Sequence, residues 1–324
     1  MTSAKTIIRS FPSTRGAGQD VIALQGNLAV RPRPEPFPEL GEIANLAELD
    51  LEIDPHARIF WQFMKPNNRP SFTMGLLSDM RKAQAWIEST LLKSATAGQA
   101  PIRYVVTSSR MGGIFNLGGD LPLFAQLIQT GDRDMLRQYA HACIEVQYQR
   151  ATNMNVPIIS ISLVQGDALG GGFECALTAD VIIAERKAKF GVPEILFGLY
   201  PGMGAYSVLS RRIGANRAEE MILSGRVYTA TELHEMGLVD VLADDGHGEA
   251  VVYDYVERAD RSFGARCAVY NVRRMVNPIT REELFAITDL WVETALKLDP
   301  INLRKMARIA TAQDRRWNTV IRSS

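Results

Sequence analysis

Two glutamates stand twenty positions apart, Glu174 in Gly170-Gly171-Gly172-Phe173-Glu174 and Glu194 in Gly191-Val192-Pro193-Glu194. The first falls at the mouth of a predicted helix that opens on three glycines, the second in a tight segment just after a predicted strand. The first N–H groups of a helix have no internal acceptors and carry the positive end of its dipole. Without side chains there, a carbonyl oxygen can approach those amides closely, and one such amide is half of an oxyanion hole. Two carboxylates beside exposed amides suit chemistry that moves a proton next to a carbonyl while adding or removing water.

A second glycine loop, Phe115-Asn116-Leu117-Gly118-Gly119-Asp120, lies between a predicted strand and a helix beginning at Leu121. Asp120 is a suitable N-cap. The loop is expected to supply the other amide donor, from Leu117 or its neighbour Gly118. Pro193 fixes the backbone before Glu194. Each piece alone has a plainer reading: a first-turn acid that complements a dipole, an exposed turn glutamate, a simple Gly-Gly-Asp turn. A phosphate loop fits less well, because no Lys-Ser/Thr follows the glycines and G-x-G-x-x-G is not met in a βαβ unit.

The elements that must position these residues alternate. Strands are predicted at 58–63, 103–107, 158–164, 180–184 and 239–242. Helices are predicted at 74–92, 121–129, 134–152, 170–178, 205–212 and 216–223. This order indicates an α/β fold with crossover connections. Beyond it the chain reads as helical, with one apolar stripe of Leu284, Ile287, Trp291, Ala295 and Leu298 and another of Leu303, Met306 and Ile309. Near the start, Pro32, Pro34, Pro36 and Pro38 alternate with other residues and favour an extended, polyproline-like chain. Three regions are therefore expected: a flexible extension over 1–45, an α/β core over 46–258 and a helical region over 259–324.

Lys+Arg and Asp+Glu balance at 36 each in 324 residues, so net charge points to neither nucleic acid nor a membrane surface. Three cysteines without C-x-x-C spacing argue for a reducing compartment and against a zinc site. Four scattered histidines make no metal or triad pattern, and His141 reads as an ordinary helix residue. No metal and no cofactor are expected. There is no apolar run of about 18 residues that would span a membrane and no secretory signal, so a cytoplasmic protein is expected. Residues 301–324 hold Arg304, Lys305, Arg308, Arg315, Arg316 and Arg322 against the single acid Asp314. This reads either as a solvated helix end or as a landing patch for an acidic carrier or for phosphates.

Taken together and in this order, the loop ending Gly118-Gly119-Asp120, Ala168-Leu169-Gly170-Gly171-Gly172-Phe173-Glu174, Asp180-Val181-Ile182-Ile183-Ala184, Gly191-Val192-Pro193-Glu194, Pro201-Gly202-Met203-Gly204 and Gly237-Leu238-Val239-Asp240 resemble the crotonase (enoyl-CoA hydratase/isomerase) superfamily. The resemblance implies a spiral of ββα turns followed by helices that assemble trimers, or hexamers made of two trimers. It implies Glu174 and Glu194 as the catalytic pair and an oxyanion hole from the amides of Leu117, with its neighbour Gly118, and Gly171. A closer resemblance is to the diffusible signal factor synthases. It rests on Phe115-Asn116-Leu117-Gly118-Gly119-Asp120-Leu121, Leu163-Val164-Gln165-Gly166, Leu196-Phe197, Pro201-Gly202-Met203-Gly204-Ala205-Tyr206-Ser207 and the segment with Ile287-Thr288 and Trp291-Val292. That branch implies dehydration of a 3-hydroxyacyl chain on acyl carrier protein to a cis-2-enoyl chain, then thioester hydrolysis to a free fatty acid quorum-sensing signal. It also implies an acyl tunnel lined by Leu169, Gly170, Met203, Trp291 and Ile309, and a sensor kinase as a further partner. The alternative is a conventional enoyl-CoA hydratase acting on CoA thioesters. The chain departs from ordinary hydratases, which more often carry Ala-Gly-Ala-Asp at the first loop and Gly-Gly-Thr after the Pro-Gly turn, and its proline-rich N-terminus is longer than in the closer relatives.

Overall fold

Every residue of Ile159–Val164 is buried, as in a parallel strand covered on both faces. In the computed structural model, which describes residues 38–96 and 100–323, Ile159, Ile161 and Leu163 face one apolar cluster and Val164 the other. The same two-residue alternation recurs along Ile59–Met64 and Val181–Glu185, the period a pleated strand imposes. The sheet is thus the wall between two cores.

In chain order the elements are β1 (Leu49–Asp54), β2 (Ile59–Met64), α1 (Met74–Thr96), β3 (Tyr104–Ser109), β4 (Gly113–Asn116), α2 (Leu121–Thr130), α3 (Arg133–Ala151), β5 (Ile159–Val164), β6 (Gly166–Leu169) and α4 (Gly171–Leu177). There follow β7 (Val181–Glu185), β8 (Lys189–Gly191), a 3-10 turn at Pro193–Phe197, α5 (Ala205–Ile213), α6 (Ala215–Ser224), β9 (Val227–Thr229), α7 (Ala230–Glu235) and β10 (Val241–Ala243). Four helices complete the chain: α8 (Gly248–Asp260), α9 (Phe263–Val276), α10 (Arg281–Ala295) and α11 (Pro300–Ser323).

Six strands form one sheet in the order β1-β2-β3-β5-β7-β10, and four form a second in the order β4-β6-β8-β9. Apart from the antiparallel pairs β1–β2 and β8–β9, neighbours run parallel. Successive turns β3-β4-α2, β5-β6-α4 and β7-β8 each give one strand to each sheet, which is the expected spiral of ββα units. Because the strands run parallel, the loops leaving β4, β6 and β8 emerge at the same edge of the second sheet. That edge carries Gly118-Gly119, Gly170-Gly171 and Glu194.

The predicted strands and helices are present within a few residues, and α9 to α11 are helical as expected. The small sheet was not anticipated. Its strands have three or four residues and include glycine, aspartate and lysine, too short for alternation to register. β1 was also missed, and Gly41–Asn45, expected to lie in the unpacked extension, forms a 3-10 turn that buries Ile43. The alternating prolines up to Pro36 lie outside the described residues. No helix among the described residues is long and apolar enough to cross a membrane, and none of their His, Cys, Asp and Glu side chains cluster as a metal site.

Candidate active site

Glu174 lies in the first turn of α4 and is 2% exposed. Its Oε1 accepts the N–H groups of Met203 (2.8 Å) and Ala205 (2.9 Å), so the turn before α5 fixes the carboxylate. Burial pushes Glu174 up to about 7, against the lowering pull of those two N–H groups. Glu194 enters from the 3-10 turn after β8. Its Oε1 lies 2.6 Å from where a β-carbon on Gly170 would stand. Its Oε2 is buried and meets no hydrogen-bond partner among the described residues. Burial first, and then the negative charge of Glu174, raise Glu194 well above the ordinary carboxylate range. Of the two, Glu174 ionises more readily, because its two amide donors favour the charged form, and a single proton left on the pair rests on Glu194.

Both carboxylates line one narrow cavity of about 50 Å³. Leu117, Gly118, Gly170, Gly171, Met203, Trp291 and Ile309 line it too. Leu169 does not: it packs with Leu117, Ile114 and Val320 on a separate small cluster. The alternation of β6 accounts for this, since Ala168 is buried in the main core and Leu169 points the other way. Leu121, Phe124, Tyr139, Cys143, Phe197 and Gln313 also line the cavity, and none of them was expected there from the sequence. On α2 and α3 such residues look like any core-facing stripe. Phe124 meets Tyr139 and Trp291 edge-on, with ring centroids 5.1 Å apart in both pairs, and these rings form an apolar wall.

The first donor loop needs a correction. The Leu117 N–H donates to the Pro70 carbonyl at 2.7 Å, and the Gly118 N–H donates to Asn116 Oδ1 at 2.8 Å. Asp120 N–H donates to Tyr139 Oη at 3.2 Å. Of the four consecutive amides 117–120, only that of Gly119 has no acceptor among the described residues. The peptide carrying it is oriented through its other end, where the Gly118 carbonyl accepts Phe72 N–H at 2.8 Å. Gly119 lines the cavity, so it, rather than Leu117 or Gly118, offers the free donor. One signal was available in the sequence: an Asn two residues before a glycine often bonds that residue's N–H as an Asx turn.

Gly171 lines the same cavity from the second loop. Gly171 is the first residue of α4, and its N–H has no acceptor within the helix. The two loops are in contact, for a β-carbon on Gly118 (φ +97°) would lie 3.0 Å from the Gly171 nitrogen. Left-handed backbone and lack of space both require glycine there. Two amides and two carboxylates thus surround one apolar-walled space.

Comparison with known proteins agrees with this architecture. The family model described as enoyl-CoA hydratase/isomerase matches residues 65–283. A fatty acid oxidation complex subunit alpha of Pseudomonas paraeruginosa is 29% identical over 196 residues, covering 60% of this chain and 26% of that protein. The peroxisomal fatty acid beta-oxidation multifunctional protein AIM1 of Arabidopsis thaliana is 33% identical over 134 residues, covering 41% of this chain and 18% of its own. The chain thus spans only about a fifth to a quarter of these relatives' length. Among solved structures, the enoyl-CoA hydratase of Bacillus halodurans superposes with a TM-score of 0.67 at 20% identity, over 81% of this chain and all of that one (100%). DspI of Pseudomonas aeruginosa superposes with 0.61 at 22%, over 78% and 98%. These two likenesses establish the shared fold. Since the family match extends over most of the spiral and both donor loops, the chain is a member of the enoyl-CoA hydratase/isomerase family.

Proposed function

We propose that the chain dehydrates a 3-hydroxyacyl thioester to a cis-2-enoyl chain and then hydrolyses the thioester, releasing a free fatty acid that serves as a quorum-sensing signal. The observation that carries the reading is the convergence of Glu174, Glu194 and the free N–H groups of Gly119 and Gly171 on one cavity with an aromatic wall. The thioester carbonyl sits between the two amides, which stabilise the negative charge that builds on its oxygen. Glu174, ionised and held by Met203 and Ala205, removes the proton from C2. Glu194, which holds the shared proton, donates it to the departing 3-hydroxyl, and water leaves. In the second step the carboxylate pair accepts a proton from a water that attacks the carbonyl. The same two amides hold the tetrahedral oxyanion until the carbon–sulfur bond breaks, when the pair returns that proton to the departing sulfur, which leaves as the thiol. Release of free acid, the cis geometry and an acyl-carrier-protein substrate rest on the motif resemblance to the diffusible signal factor synthases.

The second reading is a hydratase acting on enoyl-CoA, assembled as a trimer or hexamer. The family description and the names of the relatives support it. It uses the same four groups in the reverse direction and stops before hydrolysis. Incubation with 3-hydroxyacyl-carrier protein and with crotonyl-CoA, followed by mass spectrometry, separates the two. Free unsaturated acid supports the first reading, while hydration of crotonyl-CoA without free acid replaces it with the second. A sensor kinase partner is tested separately, by co-purification with such a kinase.

A further inference from the structure

The last helix reaches back onto the first donor loop. Gln313, on α11, donates from Nε2 to the Leu117 carbonyl at 2.9 Å, a contact spanning 196 residues of sequence. That carbonyl and the Gly118 N–H belong to one peptide, whose N–H is held by Asn116 Oδ1. Both ends of this peptide are therefore fixed, and the next peptide carries the free Gly119 N–H. One turn along α11, Arg316 donates from Nε to Asp167 Oδ2 (3.2 Å) and from Nη2 to the Gly113 carbonyl (3.1 Å). Gly113 starts β4 and Asp167 lies in β6, the two strands that lead into the two donor loops. Val320, from the same helix, packs with Ile114 and Leu117.

We propose that Gln313 is a positioning residue, which together with Arg316 makes α11 a clamp that sets the aim of the Gly119 amide relative to that of Gly171. Without the Gln313 bond that peptide is held only through its N–H end, by Asn116, and the next peptide, which carries the Gly119 N–H, is aimed less firmly. An error of a fraction of an ångström there weakens oxyanion stabilisation, which depends on donors being fixed before reaction. The inference rests on the amide-pair reading of the active site.

The test compares Gln313→Leu and Gln313→Glu, which keep approximate length but cannot donate, with Arg316→Gln and the donor-keeping Arg316→Lys. Steady-state kinetics on the thioester that the wild type turns over is paired with hydrogen exchange of the segment 113–120. In the Gln313 variants and Arg316→Gln, kcat should fall about tenfold, less than loss of a whole oxyanion donor costs. KM should stay within about twofold, and the loop should exchange faster, while Arg316→Lys stays near wild type. Unchanged kcat with unchanged exchange overturns the proposal. A rise in KM alone also overturns it, since that would make Gln313 a substrate contact. If Gln313→Leu fails to fold, Gln313→Glu carries the test. If the wild type turns over no thioester, the functional reading fails, and faster or unchanged exchange still decides for or against the clamp.

Discussion

Glu194 lies directly against Gly170: its Oε1 is 2.6 Å from the point where a β-carbon on that glycine would stand. Gly170 also has φ +51° and ψ −128°, a conformation that residues with side chains avoid. Gly170→Ala is therefore expected to cost about 1–3 kcal/mol of stability and to push the Glu194 carboxyl out of place. Turnover should drop at least ~10²-fold, the loss expected when a general acid is displaced. Initial rates together with a urea melt check both parts.

The two carboxyls make stability and activity depend on pH in opposite ways. The folded state raises Glu174 from 4.5 to about 7 and raises Glu194 well above the ordinary carboxylate range, so it binds these protons more tightly than the unfolded chain. Stability from this source is complete below about pH 4.5 and is lost as pH rises through 7. Glu174→Gln should consequently be more stable than wild type at pH 8, by up to about 3 kcal/mol, and the difference should nearly vanish at pH 4. Rate should instead rise with pH through about 7, as Glu174 ionises, and fall again once Glu194 loses its proton. Glu174→Gln and Glu194→Gln should each lose at least ~10² in rate. Melts at the two pH values and a pH–rate profile test this.

Met203 and Trp291 both line the cavity. The Met203 sulfur lies 2.4 Å from a β-carbon built on Gly171, and the Trp291 ring lies 2.8 Å from one on Gly202. Met203→Ala should widen the cavity and shift activity toward longer or branched acyl chains, at a cost of about 2–5 kcal/mol. Unaltered products with lowered stability would assign Met203 to packing alone. Product chain length by mass spectrometry decides.

On α11, the side chains of Arg304, Lys305, Arg308 and Arg315 are exposed, and no acid pairs with them among the described residues. Ile309 and Gln313 on the same helix line the cavity, which places this charge beside the site. KM for an acyl-carrier-protein or CoA substrate should rise with added salt, and Arg308→Glu with Arg315→Glu should raise it at nearly constant kcat. Salt-independent KM would make these residues a solvated helix face only.

Much of this site could be read from the chain because its parts are local. Gly170-Gly171-Gly172-Phe173-Glu174 is a strand-to-helix turn whose glycines, free amide and acid follow from helix-end physics. Asp120 caps α2 as predicted, accepting Leu123 N–H. What stayed hidden depends on contacts distant in sequence. Pro70 and Phe72, from the segment before α1, decide which amide of the first loop stays free, and Gln313 reaches that loop from the final helix. No spacing rule reports such contacts. The small sheet escaped for a different reason, since strands like Lys189–Gly191 are stabilised by their neighbours rather than by their own sequence pattern.

A β-carbon on Gly172 would fall 2.0 Å from the Asn116 carbonyl oxygen, so main chain from two successive turns of the spiral touches with nothing between. The donor segments are consequently welded into a single rigid piece, and neither can be retuned without disturbing the other. Variation that adapts such a scaffold to new fatty chains is thereby channelled into α2, α3 and α10, whose side chains can change size while that junction stays fixed.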